Sequence, residues 1–105
     1  MRQTKAVFLL PVRDTDGRDL TAAIRKVEDA VYDKFGGWRC LGVVTGTYQM
    51  PDGRKVVDES QQYAVLFDGD RAAELVEILK AFKAGTAQES VYLEVIPDVD
   101  VRLVK

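Results

Sequence analysis

The chain contains no histidine, one cysteine, three prolines and one tryptophan in 105 residues. Without imidazole, the commonest general base, the commonest metal ligand and every histidine-based triad are excluded. A single cysteine, Cys40, cannot close an internal disulfide, so no disulfide framework supports the fold, and a reducing cytoplasmic setting is the simplest expectation. Activation of its thiol would need a neighbouring cation or helix end, and only Arg39 is adjacent, so Cys40 reads as a small buried apolar residue. Long hydrophobic runs are also missing. The apolar stretch after Met1-Arg2-Gln3-Thr4-Lys5 stops at Pro11 and Arg13, far short of a membrane span or secretion signal, which predicts a soluble, unprocessed protein. Acids outnumber bases by 17 to 15 and the bases are scattered, an arrangement that disfavours nucleic-acid binding.

What is present is a strong alternation of patterns. Ala6 to Leu10 is an unbroken apolar run, as expected of a central strand buried on both faces and covering about Lys5 to Val12. After the polar turn Asp14-Thr15-Asp16-Gly17, Leu20, Ile24, Val27, Val31 and Phe35 recur at helical spacing, with Asp19 placed to cap the start and Gly36 the end. Two strands, about Trp38 to Met50 and Arg54 to Phe67, flank the turn Pro51-Asp52-Gly53 and form a hairpin. Gly42 and Gly46 within it mark a bulge or a close approach. A second helix opens at Asp68-Gly69-Asp70, buries Ala72, Leu75, Val76, Leu79 and Phe82, and is expected to end at Gly85. The last strand begins near Ser90. Pro97 interrupts it, which places it at a sheet edge, with Val99, Val101 and Leu103 as a short extension.

The order strand, helix, strand, strand, helix, strand predicts one α+β domain over residues 1–105: a ferredoxin-like βαββαβ sandwich with both helices on one face of a four-stranded antiparallel sheet. Such packing leaves the other face bare, and Tyr92, Ile96 and either Tyr63 or Tyr48 are expected on it beside the first strand. Self-association through that face or through the Pro97-marked edge follows as the leading expectation, with Trp38, Tyr92 and Ile96 as interface candidates and a protein partner as the variant.

Two polar groupings compete with that reading. On the hairpin, Tyr48, Arg54, Asp58, Glu59, Ser60 and Tyr63 could orient a small-molecule ligand or substrate; by strand alternation Asp58 and Ser60 share one face, while Glu59, Gln61 and Tyr63 share the other. Asp14 and Asp16, with Asp19, offer oxygens for a hard cation and hence a metal-dependent phosphodiester enzyme. Their spacing departs from the calcium-loop pattern, and turn and capping roles already account for them, so no metal and no cofactor are expected. Phe35-Gly36-Gly37 follows a helix instead of preceding one, which makes it a helix stop and no phosphate cradle.

Phe35-Gly36-Gly37, Gly46-Thr47-Tyr48, Asp52-Gly53-Arg54 and Asp58-Glu59-Ser60 together resemble small bacterial and phage ferredoxin-like domains of unknown function over about half the chain. That resemblance implies a fold without an activity. Gln88-Glu89-Ser90-Val91-Tyr92 resembles a short stretch of the CRISPR-associated ferredoxin-like proteins of the adaptation complex, but there it follows the first helix and here it opens the final strand.

Overall fold

A computed structural model describes the whole chain, Met1 to Lys105. The elements run β1 (Arg2–Pro11), α1 (Thr21–Phe35), β2 (Arg39–Gln49), β3 (Lys55–Phe67), α2 (Ala72–Thr86) and β4 (Leu93–Asp100). The sheet is antiparallel throughout with the order β2-β3-β1-β4, so the βαββαβ sandwich is the fold of the molecule.

One face of the sheet and both helices share the core. Ala6, Phe8 and Leu10 of β1 and Tyr63, Val65 and Phe67 of β3 meet Ile24, Val27 and Val31 of α1 and Leu75, Leu79 and Phe82 of α2. Two strand sets at period two and two helical stripes near period 3.6 therefore close on each other, and their burial is the main favourable term holding the fold. Phe8 stacks on Tyr63 with ring centroids 5.3 Å apart. At the far end Arg71 lies 4.6 Å over the Phe35 ring and donates to the Lys34 carbonyl at 2.8 Å, fastening the start of α2 to the end of α1.

Gly36 closes α1 in the left-handed conformation, its amide donating to the Tyr32 carbonyl. Asp19 accepts the Thr21 amide at 2.7 Å, although Leu20 holds the cap position; hydrogen bonding from the Thr21 side chain and then from its amide lowers the Asp19 carboxyl below its ordinary pKa. Gly85 does not end α2. The helix runs through it to Thr86, and Ala87 takes the left-handed position, because Thr86 is buried and bonds back to the Phe82 carbonyl at 2.7 Å.

Both irregularities in the sheet have local causes. Leu41 is an extra residue opposite the Cys40–Gly42 step, a bulge that Gly42 accommodates at φ 105°. In β4, which begins at Leu93 and not near Ser90, the register slips between Ile96 and Val99 opposite Lys5 and Gln3. Pro97, which has no amide to donate, sits in that slip beside Asp98 at φ 60°. The strand therefore continues through the proline to Asp100, and only Val101 to Lys105 lie beyond it, Val101 donating to the Met1 carbonyl. Cys40 is exposed, contrary to the sequence expectation, because it lies on edge strand β2, beyond the cover of the helices.

Candidate functional site

The sheet face opposite the helices carries Lys5, Val7 and Leu9 of β1, Val56, Asp58, Ser60, Gln62 and Leu66 of β3, Val44, Gly46 and Tyr48 of β2, and Tyr92, Glu94 and Ile96 at β4, as the pairing registers require. At the hairpin end this face is not flat. The connection from Ala87 to Tyr92 runs beside β1, its Tyr92 carbonyl accepting the Leu9 amide at 3.3 Å, and becomes one wall of a groove of about 650 Å3. Leu9, Pro11, Asp58 and Ser60 line its sheet side, with Tyr48 and Tyr92 at its margins.

Three features give the groove its chemistry. Tyr48 folds back along its own strand so that its ring occupies the space a side chain at Gly46 would need, and Gly46 pairs with Asp58 on β3. The glycine thus lets an aromatic ring lie against the strand beside a carboxylate. Asp58 has its pKa raised by desolvation alone, with neither an opposite charge nor a hydrogen-bond donor to offset the loss of water. Nearby Arg54 is already engaged, 2.9 Å from Asp52 and 3.9 Å from Glu89. Tyr92 is raised above an ordinary phenol by its hydrogen bond to Glu94, with desolvation and the Glu94 charge adding to it and Tyr48 making a small further contribution.

The sequence candidates divide between the two faces. Tyr48, Arg54, Asp58 and Ser60 come together around the groove. Tyr63 belongs to the core, where its hydroxyl lies 2.5 Å from the Glu28 carboxylate and 2.6 Å from the Gln61 side-chain oxygen. One hydroxyl proton cannot serve both acceptors at once, so it goes to the charged one. Glu59 points to the same side as Tyr63 but lies beyond the helices and is exposed. Of the interface candidates, Tyr92 and Ile96 are exposed on the open face, while Trp38 packs T-shaped with Tyr63, ring centroids 5.5 Å apart, with part of its ring in solvent.

The acidic turn is held by its own hydrogen bonds. Asp14 accepts the amides of Asp16 and Arg18 at 2.9 and 2.8 Å, and the Arg18 guanidinium lies against both carboxylates. Asp14, Asp16 and Asp19 do not form a cluster able to hold a metal ion. Sequence reading did not join Leu9, Pro11 and Glu89 to the hairpin set, since the α2–β4 connection reaches the hairpin only through tertiary packing. The short spacing of Gly46 and Tyr48 is the one local signal that bears on the groove.

No protein-family model matches the chain, and no curated protein matches its sequence. Among solved structures, a phage SAM lyase in complex with S-methyl-5′-thioadenosine superposes with a TM-score of 0.68 at 18% identity, covering 95% of this chain and 87% of that one. A Bacillus cereus protein related to NIF3 superposes with a TM-score of 0.60 at 17% identity over 91% of this chain, which spans 25% of that protein. At such identities the likeness is one of fold alone. No helix of the chain is long and apolar enough to cross a membrane.

Proposed function

We propose that this chain is a non-catalytic ferredoxin-like interaction module that assembles with further copies of itself through the β2 edge. The contrast between its two sheet edges carries this reading. On β4 the edge is guarded by Glu94, Pro97, Asp98 and Asp100 and by a bulge, the devices that keep sheet edges from pairing. On β2 the bulge at Leu41 is the one such device, and beyond it the stretch from Val43 to Met50 has no charged residue and no proline and pairs only with β3. Leu41, Val43 and Tyr48 of β2 and Val57 of β3 are exposed large apolar side chains along the same border.

A strand with free backbone donors and acceptors along one side gains hydrogen bonds and apolar contact when an identical strand pairs antiparallel about a twofold axis. The test is light scattering coupled to size exclusion, on the native chain and on Val43→Lys combined with Thr45→Lys. Assembly of the native chain at about 20 µM, a concentration suited to micromolar affinity, and a monomeric variant with an unchanged circular dichroism spectrum would support the reading. A native monomer, or a variant that still assembles, would remove it.

The groove favours a second reading, small-molecule binding. Its support is the gathering of Tyr48, Asp58, Ser60 and Tyr92 around one concavity. A similarly folded phage lyase has been solved with a nucleoside thioether bound, so this architecture is compatible with small ligands. The metal-dependent phosphodiester alternative has no comparable support, since the Asp14 and Asp16 carboxylates are committed to the turn and to Arg18.

A further inference from the structure

Asp58 has no structural task that its neighbours reveal. A carboxylate in a turn caps an amide, as Asp14, Asp19 and Asp52 do here, and a carboxylate on a helix pairs with a base, as Glu74 does with Arg71. Asp58 does neither. It is a partly buried residue of the groove lining, paired across the strands with a glycine whose side-chain space the Tyr48 ring occupies. An uncompensated charge of this kind costs stability and is a mark of a binding site.

The rest of the lining specifies what would compensate it. Glu89 adds a second carboxylate on the opposite wall, and the one base at the rim, Arg54, is divided between Asp52 and Glu89. An anion would therefore meet two carboxylates with no free cation to receive it. A cation would meet Asp58 directly and find aromatic faces at Tyr48 and Tyr92, whose ring quadrupoles attract positive charge. Leu9, Pro11 and Met50 supply apolar surface for the body that carries the charge, and the Ser60 hydroxyl can donate to or accept from a polar substituent on it.

We propose that this groove binds a small organic cation, an ammonium or related head group on an aromatic or aliphatic body, with the head against Asp58 and the body on the rings of Tyr48 and Tyr92. The inference rests on the small-molecule reading of the groove and adds the charge and shape of the ligand.

Nuclear magnetic resonance titration of the native chain tests it with three probes: tyramine, which carries an ammonium group on an aromatic body; tyrosol, the same body with a hydroxyl in place of the ammonium; and S-methyl-5′-thioadenosine, a neutral nucleoside. Tyramine is expected to move the amides of residues 48, 58, 60 and 92, tyrosol to move them far less, and Asp58→Asn to weaken tyramine binding by about tenfold or more, the scale of a lost charge-assisted contact. Glu59→Gln, on the opposite sheet face, is expected to leave it unchanged. Equal response to tyramine and tyrosol, or tyramine binding that survives Asp58→Asn, would overturn the proposal. If the thioadenosine alone moves the groove amides, the groove remains a ligand site and the cation inference falls. Silence toward all three at about 10 mM, well above ordinary weak affinities, would remove both.

Discussion

The Tyr63 hydroxyl donates to the Glu28 carboxylate across 2.5 Å, joining β3 to α1. The same ring is stacked on Phe8 and packed T-shaped with Trp38, so a residue of the hairpin is locked into the core from three sides. Tyr63→Phe keeps the stacking and removes only the hydrogen bond, leaving Glu28 and Gln61 to seek water. A loss of about 1–2 kcal/mol is expected, the usual cost of a hydrogen bond to a charged partner at a partly wet site. Urea denaturation followed by circular dichroism measures it, and the groove should respond to ligands as before.

The same contact sets the behaviour at high pH. Desolvation, and then the Glu28 hydrogen bond and charge, push the Tyr63 phenol far above its ordinary value near 10. In the unfolded chain Tyr63 loses its proton above about pH 10 while the native residue retains it, so the native state binds more protons and stability falls as pH rises. This contribution is complete below the unfolded pKa. Melting temperature should therefore decline more steeply above pH 10 in the native chain than in Tyr63→Phe; parallel declines would assign the loss elsewhere.

Much of this arrangement is legible in the sequence, and the parts that are not share a cause. The stripe from Leu20 to Phe35, the Gly36 stop and the Asp52-Gly53 turn depend on neighbours a few residues away, and each stands where its pattern puts it. Alternation also separates Asp58 and Ser60 from Glu59 and Tyr63. It cannot say which set faces the helices, because that depends on the pairing of Tyr63 with Phe8, residues far apart in the chain. Cys40 fails for the same reason: a thiol on an edge strand is exposed whatever its intrinsic polarity. The groove wall at Gln88 to Val91 arises from the path of a connection that no periodicity encodes.

Gly85 shows how a local rule yields to a longer pattern, and it gives a clean substitution. Glycine near the end of a helical stripe ordinarily stops it, but burial of Thr86 carries α2 past Gly85. A methyl group placed on Gly85 would meet no atom within 4 Å. Gly85→Ala should then stabilise the protein by about 0.5–1 kcal/mol through reduced freedom of the unfolded chain and better helix propensity. By contrast Gly42→Ala, at φ 105° in the bulge, should cost about 1 kcal/mol or more. Thermal denaturation of the two variants beside the native chain should shift in opposite directions.

Asp58 offers the sharpest separation of stability from function. Its folded pKa lies above the unfolded value because burial disfavours the charged form. Between those two values the native state holds more proton than the unfolded one, so stability decreases as pH rises through the window and the penalty is complete at neutral pH. Arg54, Glu89, Tyr48 and Tyr92 also face the groove, and none relieves it: Arg54 is paired elsewhere, and Glu89 and the two phenols bring no positive charge. Asp58→Asn, which keeps the shape and removes the charge, should melt higher than the native chain at pH 7. The gap should close as the solution is acidified and the native carboxyl takes up its proton. A variant that gains stability while losing cation binding would identify Asp58 as a group retained for recognition, whereas a loss of stability at pH 7 would mean that the native chain compensates this charge after all.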